Sequence, residues 1–482
     1  MGVECRRQSA STIVEHPLTL DRQFGSHFRL PEANKAERRV VTMEFGKHIG
    51  KGFWGFADKS LVVVYGLGFI FLVLRVLPEE EYGAFVMIQA IFNLIVAFAG
   101  SFALQPLVKF GSESDDLGSI LAPGLFLYAA FLLLSSFIVS LGAPWIAGFV
   151  APSYSQHLAE LLMYLPALLI AAFVRNVAIA LLQTRFRIRE IFAVDAIFFL
   201  GSLLLLFVAH ESSMLTTAYD LIVITFFALI ASSVSAIVIA FDLLKHYRRI
   251  TRDDMSRIWG FGKYSLVSSA SVAVQAQLDV FFLSAFGGSV QVAVFSAAKI
   301  FVRIFDVMNQ VIQLFVVPAS SRFFSKGDHS SLQSMMEKSI CFSTLFLLPV
   351  FLIFAFGAEF ILELFYADRY ADANIPLRIF AFLAAVVPAS SVLSSILVGL
   401  GRVKTGMILT WIFLACSFIL QWLLVPRFGP TGAALANVGA MTVLTVGASI
   451  AVNRILPVRV MSILARTRDL TTFIRKRMRN GA

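Results

Sequence analysis

The chain has 482 residues, of which 58% are hydrophobic and only 15% are charged. Soluble chains usually carry about 45–50% apolar and about 25% charged residues, so this composition excludes a water-soluble enzyme. The net charge of +10 does not indicate nucleic-acid binding, because no basic stretch is interleaved with aromatic residues on a soluble module.

Residues 1–43 are polar and contain no apolar run long enough for the core of a signal peptide. Their mixed charge, scattered serines and two prolines predict a disordered leader. Met43 opens a short basic amphipathic segment that leads into the first apolar run. We therefore expect translation to begin at Met43.

Twelve apolar segments follow, each bounded by charged residues, proline or glycine. Each is long enough to cross a hydrocarbon core of roughly 30 Å as a helix, and nearly all lack the alternation of a barrel strand. Gly83, Gly401 and Gly429 are predicted to form tight turns with positive φ at the membrane surface. We therefore predict an all-α integral membrane protein with twelve transmembrane helices. The predicted spans are 58–77, 84–108, 118–140, 163–183, 191–209, 219–241, 262–286, 292–318, 334–356, 375–398, 405–425 and 432–455.

The loops differ in charge between the two sides of the membrane. Basic residues concentrate in alternate loops and in the C-terminal tail, whereas the opposite loops carry acidic runs such as Glu79-Glu80-Glu81. Because basic loops stay in the cytoplasm, we predict that both termini are cytoplasmic (N-in/C-in). The connection 242–261 separates a first six-helix bundle (44–241) from a second (262–455), and residues 456–482 form a basic cytoplasmic tail. This parallel pseudo-repeat is typical of transporters that hold their substrate between the two bundles.

Several ionisable residues fall within predicted spans, where each costs roughly 2.5–3.5 kcal/mol on insertion scales and needs a polar partner or a hydrated cavity. Lys299, Arg303 and Asp306 recur at helical spacing on one face of the eighth span, and Asp279 lies in the seventh. One interpretation is that the carboxylates neutralise the cations as buried structural pairs. The other is that the cations line a hydrated cavity for an anionic substrate.

The second interpretation includes two further charges, in the fourth and fifth spans. We predict that three cations bind substrate in a central cavity, and that three carboxylates act as counter-charges or in ion coupling. The cations are Arg303, Lys299 and Arg175, and the carboxylates are Asp279, Asp306 and Asp195.

No catalytic constellation is recognisable in the sequence. The seven histidines fall in tails and loops without metal-ligand spacing, and the three cysteines lie far apart. There is no glycine-rich phosphate loop of the Walker type, so ATP hydrolysis is not encoded. We expect a transporter rather than an enzyme, with no metal site and no cofactor.

Seven short segments carry a family resemblance: Arg75–Phe85, Gln277–Asp279, Phe286–Gly288, Phe295–Ala298, Val317–Phe323, Gly399–Lys404 and Arg427–Ala434. In order and in helix count they resemble the multidrug/oligosaccharidyl-lipid/polysaccharide (MOP) exporter superfamily, in particular its polysaccharide (O-antigen-type) flippase branch. The resemblance covers about residues 44–455. The long leader and the Ser289–Val292 turn depart from the pattern of that branch.

The resemblance implies a flippase that moves a polyprenyl-diphosphate-linked oligosaccharide across the cytoplasmic membrane of a prokaryote, by alternating access through a cationic central cavity. Its implied partners are that lipid-linked oligosaccharide, membrane lipids, and a glycan polymerase or glycosyltransferases. Two alternatives remain open, namely a multidrug cation antiporter of the same superfamily and a membrane-embedded glycan polymerase or ligase. The antiporter would have few cavity cations, and the polymerase would have a large extracytoplasmic loop with acid–base residues.

Overall fold

A computed structural model describes residues 54–55, 57–58, 60–113, 117–245, 250–367 and 369–467. Contacts divide the chain into two units, Met1–Gly50 and Lys51–Ala482. The first unit, which contains the predicted leader and Met43, lies outside the described residues. Positions 468–482 of the predicted tail also lie outside them.

All regular secondary structure within the described residues is helical. Two π turns, Ile70–Leu74 and Gly100–Leu104, and one 3-10 turn, Ile300–Val302, lie within longer helices. Further 3-10 turns lie at Pro152–Tyr154 and Ala371–Ala373. The helices are α1 (Ser60–Leu74), α2 (Glu79–Glu113), α3 (Gly118–Val150), α4 (Ser155–Leu162), α5 (Leu165–Thr184), α6 (Ile188–Glu211), α7 (Ala218–Leu244), α8 (252–287), α9 (289–325), α10 (His329–Tyr366), α11 (Asn374–Phe380), α12 (Leu383–Gly399), α13 (403–428), α14 (430–453) and α15 (Val460–Ala465).

Local capping sets the start of several helices. The Thr251 hydroxyl accepts a hydrogen bond from Asp254 N (3.2 Å) at the start of α8, and Asp328 accepts one from Ser331 N (2.9 Å) at the start of α10. Such side chains satisfy backbone N–H groups that have no partner within the helix. The hydrogen bond from Ser331 also lowers the pKa of the Asp328 carboxyl, because it stabilises the charged form.

Two glycines break long helical stretches. Gly288 (φ 77°, ψ −177°) separates α8 from α9, and Gly429 (φ 53°, ψ −130°) separates α13 from α14. Residues with a Cβ rarely adopt these angles, so glycine is the residue that permits each break. The predicted positive φ is confirmed at Gly429 and at Gly401 (φ 72°). It is wrong for Gly83, which lies inside α2.

Gly83 instead allows the two halves of the chain to approach each other. A Cβ at Gly83 would lie 1.9 Å from the Ser289 carbonyl oxygen, and a Cβ at Gly262 of α8 would lie 2.1 Å from the Phe102 carbonyl oxygen. Both distances are far below van der Waals contact, so only glycine fits at either position. Helix α2 therefore packs closely along α8 and the start of α9, beside the cavity described below.

Eight of the described helical stretches are long and apolar enough to cross a membrane, with α8–α9 and α13–α14 each taken as one stretch. The bent pair formed by residues 371–380 and α12 raises that number to nine. This agrees with the predicted all-α membrane protein, whereas the twelve-span, N-in/C-in arrangement stays a prediction. The helices extend beyond the apolar segments: α8 starts at Arg252 rather than at 262, inside the predicted linker, because its Thr251 cap is polar.

The C-terminal segment is tied to α10 by a buried ion pair. Arg466 Nε and Nη2 lie 2.9 and 2.8 Å from Glu337 Oε2. Gln333 Nε2 donates to the other carboxylate oxygen (3.0 Å), and the Glu337 side chain is only 3% exposed. The first part of the predicted tail is therefore held against the second half of the chain.

We expect Arg466→Ala to lower the thermal stability of the protein. The change would leave the buried Glu337 carboxylate without its cation, a loss that costs about 3–5 kcal/mol in buried pairs. Arg466 is 32% exposed, which places the expected cost at the low end of that range. Thermal unfolding of the detergent-solubilised protein measures it, with Arg459→Ala as the control for loss of a basic residue. An Arg466→Ala variant as stable as that control would contradict the prediction.

Candidate functional site

A polar cavity of about 250 Å³ lies between α2, α8 and α9. Gln89 and Asn93 lie one helical turn apart on the face of α2 that borders it. Both halves of the chain contribute to this cavity, which we call the central cavity. Its polar lining residues are Tyr82, Gln89, Asn93, Gln277, Ser296, Lys299, Arg303 and Asp306.

One of the two α9 cations is paired across to α8. Lys299 Nζ lies 2.6 Å from Asp279 Oδ2 and donates a second hydrogen bond to the Ala276 carbonyl (3.2 Å). Asp279 is 2% exposed and also accepts from Asn437 Nδ2 (3.2 Å) and Val280 N (2.8 Å). The interpretation of a structural ion pair therefore fits Lys299 and Asp279. Because Lys299 is 35% exposed and lines the cavity, the same ammonium can also meet a substrate.

The other cation, Arg303, is differently placed. It follows the Ile300–Val302 turn and lies against α1. A Cβ atom added to Gly66 of α1 would lie 3.2 Å from the Arg303 Nη1 atom. Within the described part of the chain, neither Arg303 nor Asp306 forms a hydrogen bond or ion pair. Both side chains are exposed to the central cavity. Among the described residues, the five N–H donors of the Arg303 guanidinium therefore stay available to a substrate in the cavity.

Arg175 and Asp195 lie elsewhere, inside the first half of the chain. Arg175 Nη2 donates to Asp195, its Nε donates to the Ser232 hydroxyl (3.1 Å), and its guanidinium carbon lies 4.9 Å from the centre of the Phe198 ring. The two charged side chains are 15% and 14% exposed. They form an ion pair between α5 and α6, and the structure does not place them on the lining of the central cavity.

Sequence reasoning missed the α2 side of the cavity and the contribution of α14. Gln89 and Asn93 are amides four residues apart in an otherwise apolar span, a signal that could have identified the face of α2 that borders a polar space. Asn437, which contacts Asp279, stands four residues after Ala433 and gives no comparable pattern. Its role depends on the packing of α14 against α8, which a single sequence does not reveal.

Contacts between the two halves also lie at the end of the helices where α1 passes into α2, which we call the outer end because the predicted N-in topology places it outside. Arg75 donates from Nε to the Phe365 carbonyl (3.0 Å) and from Nη2 to the Leu364 carbonyl (2.5 Å). In return, Arg369 Nη1 donates to the Arg75 carbonyl (2.7 Å). These bonds connect the end of α1 to the end of α10. The structure therefore has the two halves joined at the outer end.

A partly buried tyrosine adds to the outer contacts. The Tyr154 hydroxyl lies 2.7 Å from the Ser284 hydroxyl, which joins the turn after α3 to the end of α8. Burial raises the pKa of Tyr154 to about 12, because the phenolate would lose its hydration. The phenol therefore stays protonated and able to hydrogen-bond at physiological pH.

Comparison with known proteins adds a family match. The profile of a family described as polysaccharide biosynthesis proteins matches residues 72–375, more than half of the chain. A probable low-salt glycan biosynthesis flippase of Haloferax volcanii is 22% identical over 400 residues, which cover 80% of this chain and 79% of the relative.

Two solved structures share the fold. The lipid II flippase MurJ in an inward closed conformation matches with a TM-score of 0.70 and 15% identity, over 86% of this chain and 89% of that one. An inward-facing multidrug resistance transporter of the MATE family, in the MOP superfamily, matches with a TM-score of 0.65 and 16% identity. That match covers 85% of this chain and 96% of the transporter. The chain therefore shares its helical fold with these two membrane transport proteins.

Proposed function

The chain belongs to the polysaccharide biosynthesis protein family, and on this premise we propose that it is a flippase for a polyprenyl-diphosphate-linked oligosaccharide. It would move this lipid from the inner to the outer leaflet of the cytoplasmic membrane of a prokaryote. The related Haloferax volcanii protein is named as a flippase of glycan biosynthesis, which supports a transporter rather than an enzyme. A glycan polymerase or glycosyltransferases would act before or after it.

The observation that carries the proposal is the position of Arg303. This cation borders two different spaces, the polar central cavity and an apolar groove of about 310 Å³ between α1 and α9. Val63, Leu67 and Ile304 are among the residues that line the groove. A diphosphate bound to the guanidinium would have a polar space for its sugars on one side and an apolar path for its prenyl chain on the other.

The proposal also includes the twelve-span arrangement in two bundles. If the breaks at Gly288 and Gly429 each separate two spans, the bent pair of residues 371–380 and α12 forms one span, and α1 crosses as the first, the described helices supply all twelve. Both bundles would then border the central cavity, and rocking of one against the other would open it alternately to each side.

The alternative of a multidrug cation antiporter is supported by the shared fold with MATE transporters. Such a protein needs a carboxylate free to bind a cation. Asp306 is a candidate for that role, but Arg303 lies three residues away on the same helix and would repel a cationic drug. The Arg303 guanidinium, which has no ion pair within the described residues, therefore favours an anionic substrate over a cationic one.

Deletion of the gene in its own cell tests the proposal directly. A flippase predicts that the lipid-linked oligosaccharide accumulates on the inner leaflet and that surface glycan is lost, with both restored by the gene supplied in trans. The antiporter predicts normal surface glycan and increased sensitivity to cationic dyes. Normal glycan display in the deletion strain would reject the flippase.

Alternating access gives a specific expectation for Arg75. Arg75→Ala removes two hydrogen bonds that hold the outer end closed, and should shift the protein toward an outward-open state. We expect severalfold faster labelling of Ser296→Cys in the central cavity by a membrane-impermeant maleimide added outside. Both proteins in this comparison carry Ser296→Cys as their sole cysteine, because the native cysteines are replaced.

Arg378→Ala is the matched control for the labelling experiment. Arg378 lies near the same end and pairs with Glu359 (3.9 Å), so both partners belong to the second half and do not join the two halves. Labelling that is unchanged by Arg75→Ala, or raised equally by Arg378→Ala, would show that the outer contacts do not hold the halves together.

A further inference from the structure

A second cavity lies further along the same face of α2. The α2 residues Tyr82, Val86, Gln89 and Asn93 border the central cavity. Val96, Gly100, Leu104 and Val108 border a space of about 480 Å³ that is also walled by α3, α5 and α8. These positions recur every three or four residues, so they form one stripe along the helix. We call this space the inner cavity, because it lies toward the predicted cytoplasmic end of α2.

The inner cavity is bordered by both apolar and hydrogen-bonding side chains, with no carboxylate among the described residues that border it. Its polar side chains are Gln105, Lys109, Tyr128, Asn176 and Gln183. Amides and phenols can both donate and accept, and the ammonium can only donate. This set suits a ligand with many hydroxyl groups, and it also tolerates an acidic sugar.

The side chains of Asn176 and Tyr128 are oriented by hydrogen bonds that begin at Arg175, the cation of the Arg175–Asp195 ion pair. Arg175 Nη1 lies 3.5 Å from Asn176 Oδ1, and because a guanidinium only donates, the amide oxygen must face it. The amide nitrogen then donates to the Tyr128 hydroxyl (2.9 Å). Within the described residues no group accepts the Tyr128 hydroxyl proton, although this side chain is fully buried and borders the cavity.

The backbone of α2 departs from regular α-helical geometry where the helix borders the inner cavity. The π turn Gly100–Leu104 contributes two residues to the cavity wall, and a Cβ at Gly100 would meet nothing within 4 Å. Single π turns inside α-helices occur frequently at functional sites, because they open the helix locally. The π turn of α2 therefore borders the same cavity as Tyr128 of α3 and Asn176 of α5.

We propose that the inner cavity is the glycan subsite of the protein, a site for the sugars next to the diphosphate. The proposal rests on the proposed flippase function. From Gln89 to Leu104 the stripe on α2 extends about 22 Å, at about 1.5 Å of rise per residue, so the two cavities together have the length of an oligosaccharide rather than of one sugar. Arg303 would hold the diphosphate at one end, and Tyr128, Asn176 and Gln183 would bind sugar hydroxyls toward the other.

Binding of two lipids to the full-length protein in nanodiscs separates the glycan subsite from the diphosphate site. The probes are undecaprenyl diphosphate without sugar and an undecaprenyl-diphosphate-linked oligosaccharide. Tyr128→Phe/Gln183→Ala should bind the sugar-free lipid as the wild type does and should bind the oligosaccharide lipid about tenfold more weakly, since two hydrogen bonds are lost. Arg303→Ala should weaken the binding of both lipids. Gln156→Ala, in α4 and away from both cavities, should change neither.

The binding results can reject the glycan subsite without rejecting the proposed flippase function. Gln183 is exposed, so the single change Gln183→Ala keeps the test valid if Tyr128→Phe destabilises the fold. If the wild type binds both lipids equally, or the double variant weakens both alike or neither, the glycan subsite is rejected while the flippase proposal stands. A wild type that binds neither lipid rejects the flippase proposal itself.

Discussion

Arg303→Ala should reduce surface-glycan display to near background, whereas Arg303→Lys should retain part of it. Each hydrogen bond to a charged group contributes about 1.5–3 kcal/mol, so loss of a bidentate contact should weaken diphosphate binding roughly a hundredfold or more. Lysine keeps the charge but lacks the planar fork that matches two phosphate oxygens. Display restored to a deletion strain, compared at equal protein level, is the measurement.

The structure predicts that this loss occurs without a loss of stability. Arg303 has no hydrogen bond or ion pair within the described residues, so its truncation breaks no direct contact, and the neighbouring Asp306 carboxylate is exposed to the cavity. Arg322→Ala is the matched control, because Arg322 is an exposed arginine near the C-terminal end of α9. Wild-type display by Arg303→Ala would remove this residue from the substrate path, and a lowered melting temperature would give it a structural role.

The helical framework could be predicted from the sequence because hydropathy acts locally. All twelve apolar segments overlap helices of the structure, and the positive φ at Gly401 and Gly429 follows from glycine at the end of an apolar run. The boundaries were less accurate. Helix α8 begins at Arg252 because helices continue beyond the apolar core wherever a polar cap supports them, and hydropathy does not detect that extension.

The pairing of charges could not be predicted in the same way. Helical spacing places Lys299 and Arg303 on one face, yet Lys299 reaches Asp279 on α8 while Arg303 lies against Gly66 on α1. The Ile300–Val302 turn lies between them, and a 3-10 turn has about 3.0 residues per turn rather than about 3.6, so it rotates Arg303 away from Lys299. The sequence gives no sign of that turn.

The pairing also changes the interpretation of Asp279. Of the pairs that the structural interpretation allows, Asp279 forms the one with Lys299 rather than one with Arg303, and it also accepts a hydrogen bond from Asn437. The question becomes whether the Lys299–Asp279 pair only stabilises the fold or also takes part in transport. An anionic substrate in the central cavity would compete with Asp279 for the Lys299 ammonium.

The two partners should differ in their effect on stability. Lys299→Met leaves a carboxylate that is 2% exposed without its cation, and the loss of one member of a buried pair costs about 3–5 kcal/mol. Asp279→Asn leaves an ammonium that is 35% exposed and can turn to water in the cavity, so its cost should be clearly smaller. Thermal unfolding in detergent compares the two variants, and equal melting temperatures would contradict this order.

The double variant Asp279→Asn/Lys299→Met separates stability from transport. Removal of both charges leaves no unpaired ion, so its melting temperature should recover most of the loss caused by Lys299→Met. If the ammonium also binds the passing diphosphate, surface-glycan display should stay near background in this stable protein, because the cavity has lost one of its two cations. Display that recovers together with stability would instead make the pair purely structural and leave Arg303 as the cation on which transport depends.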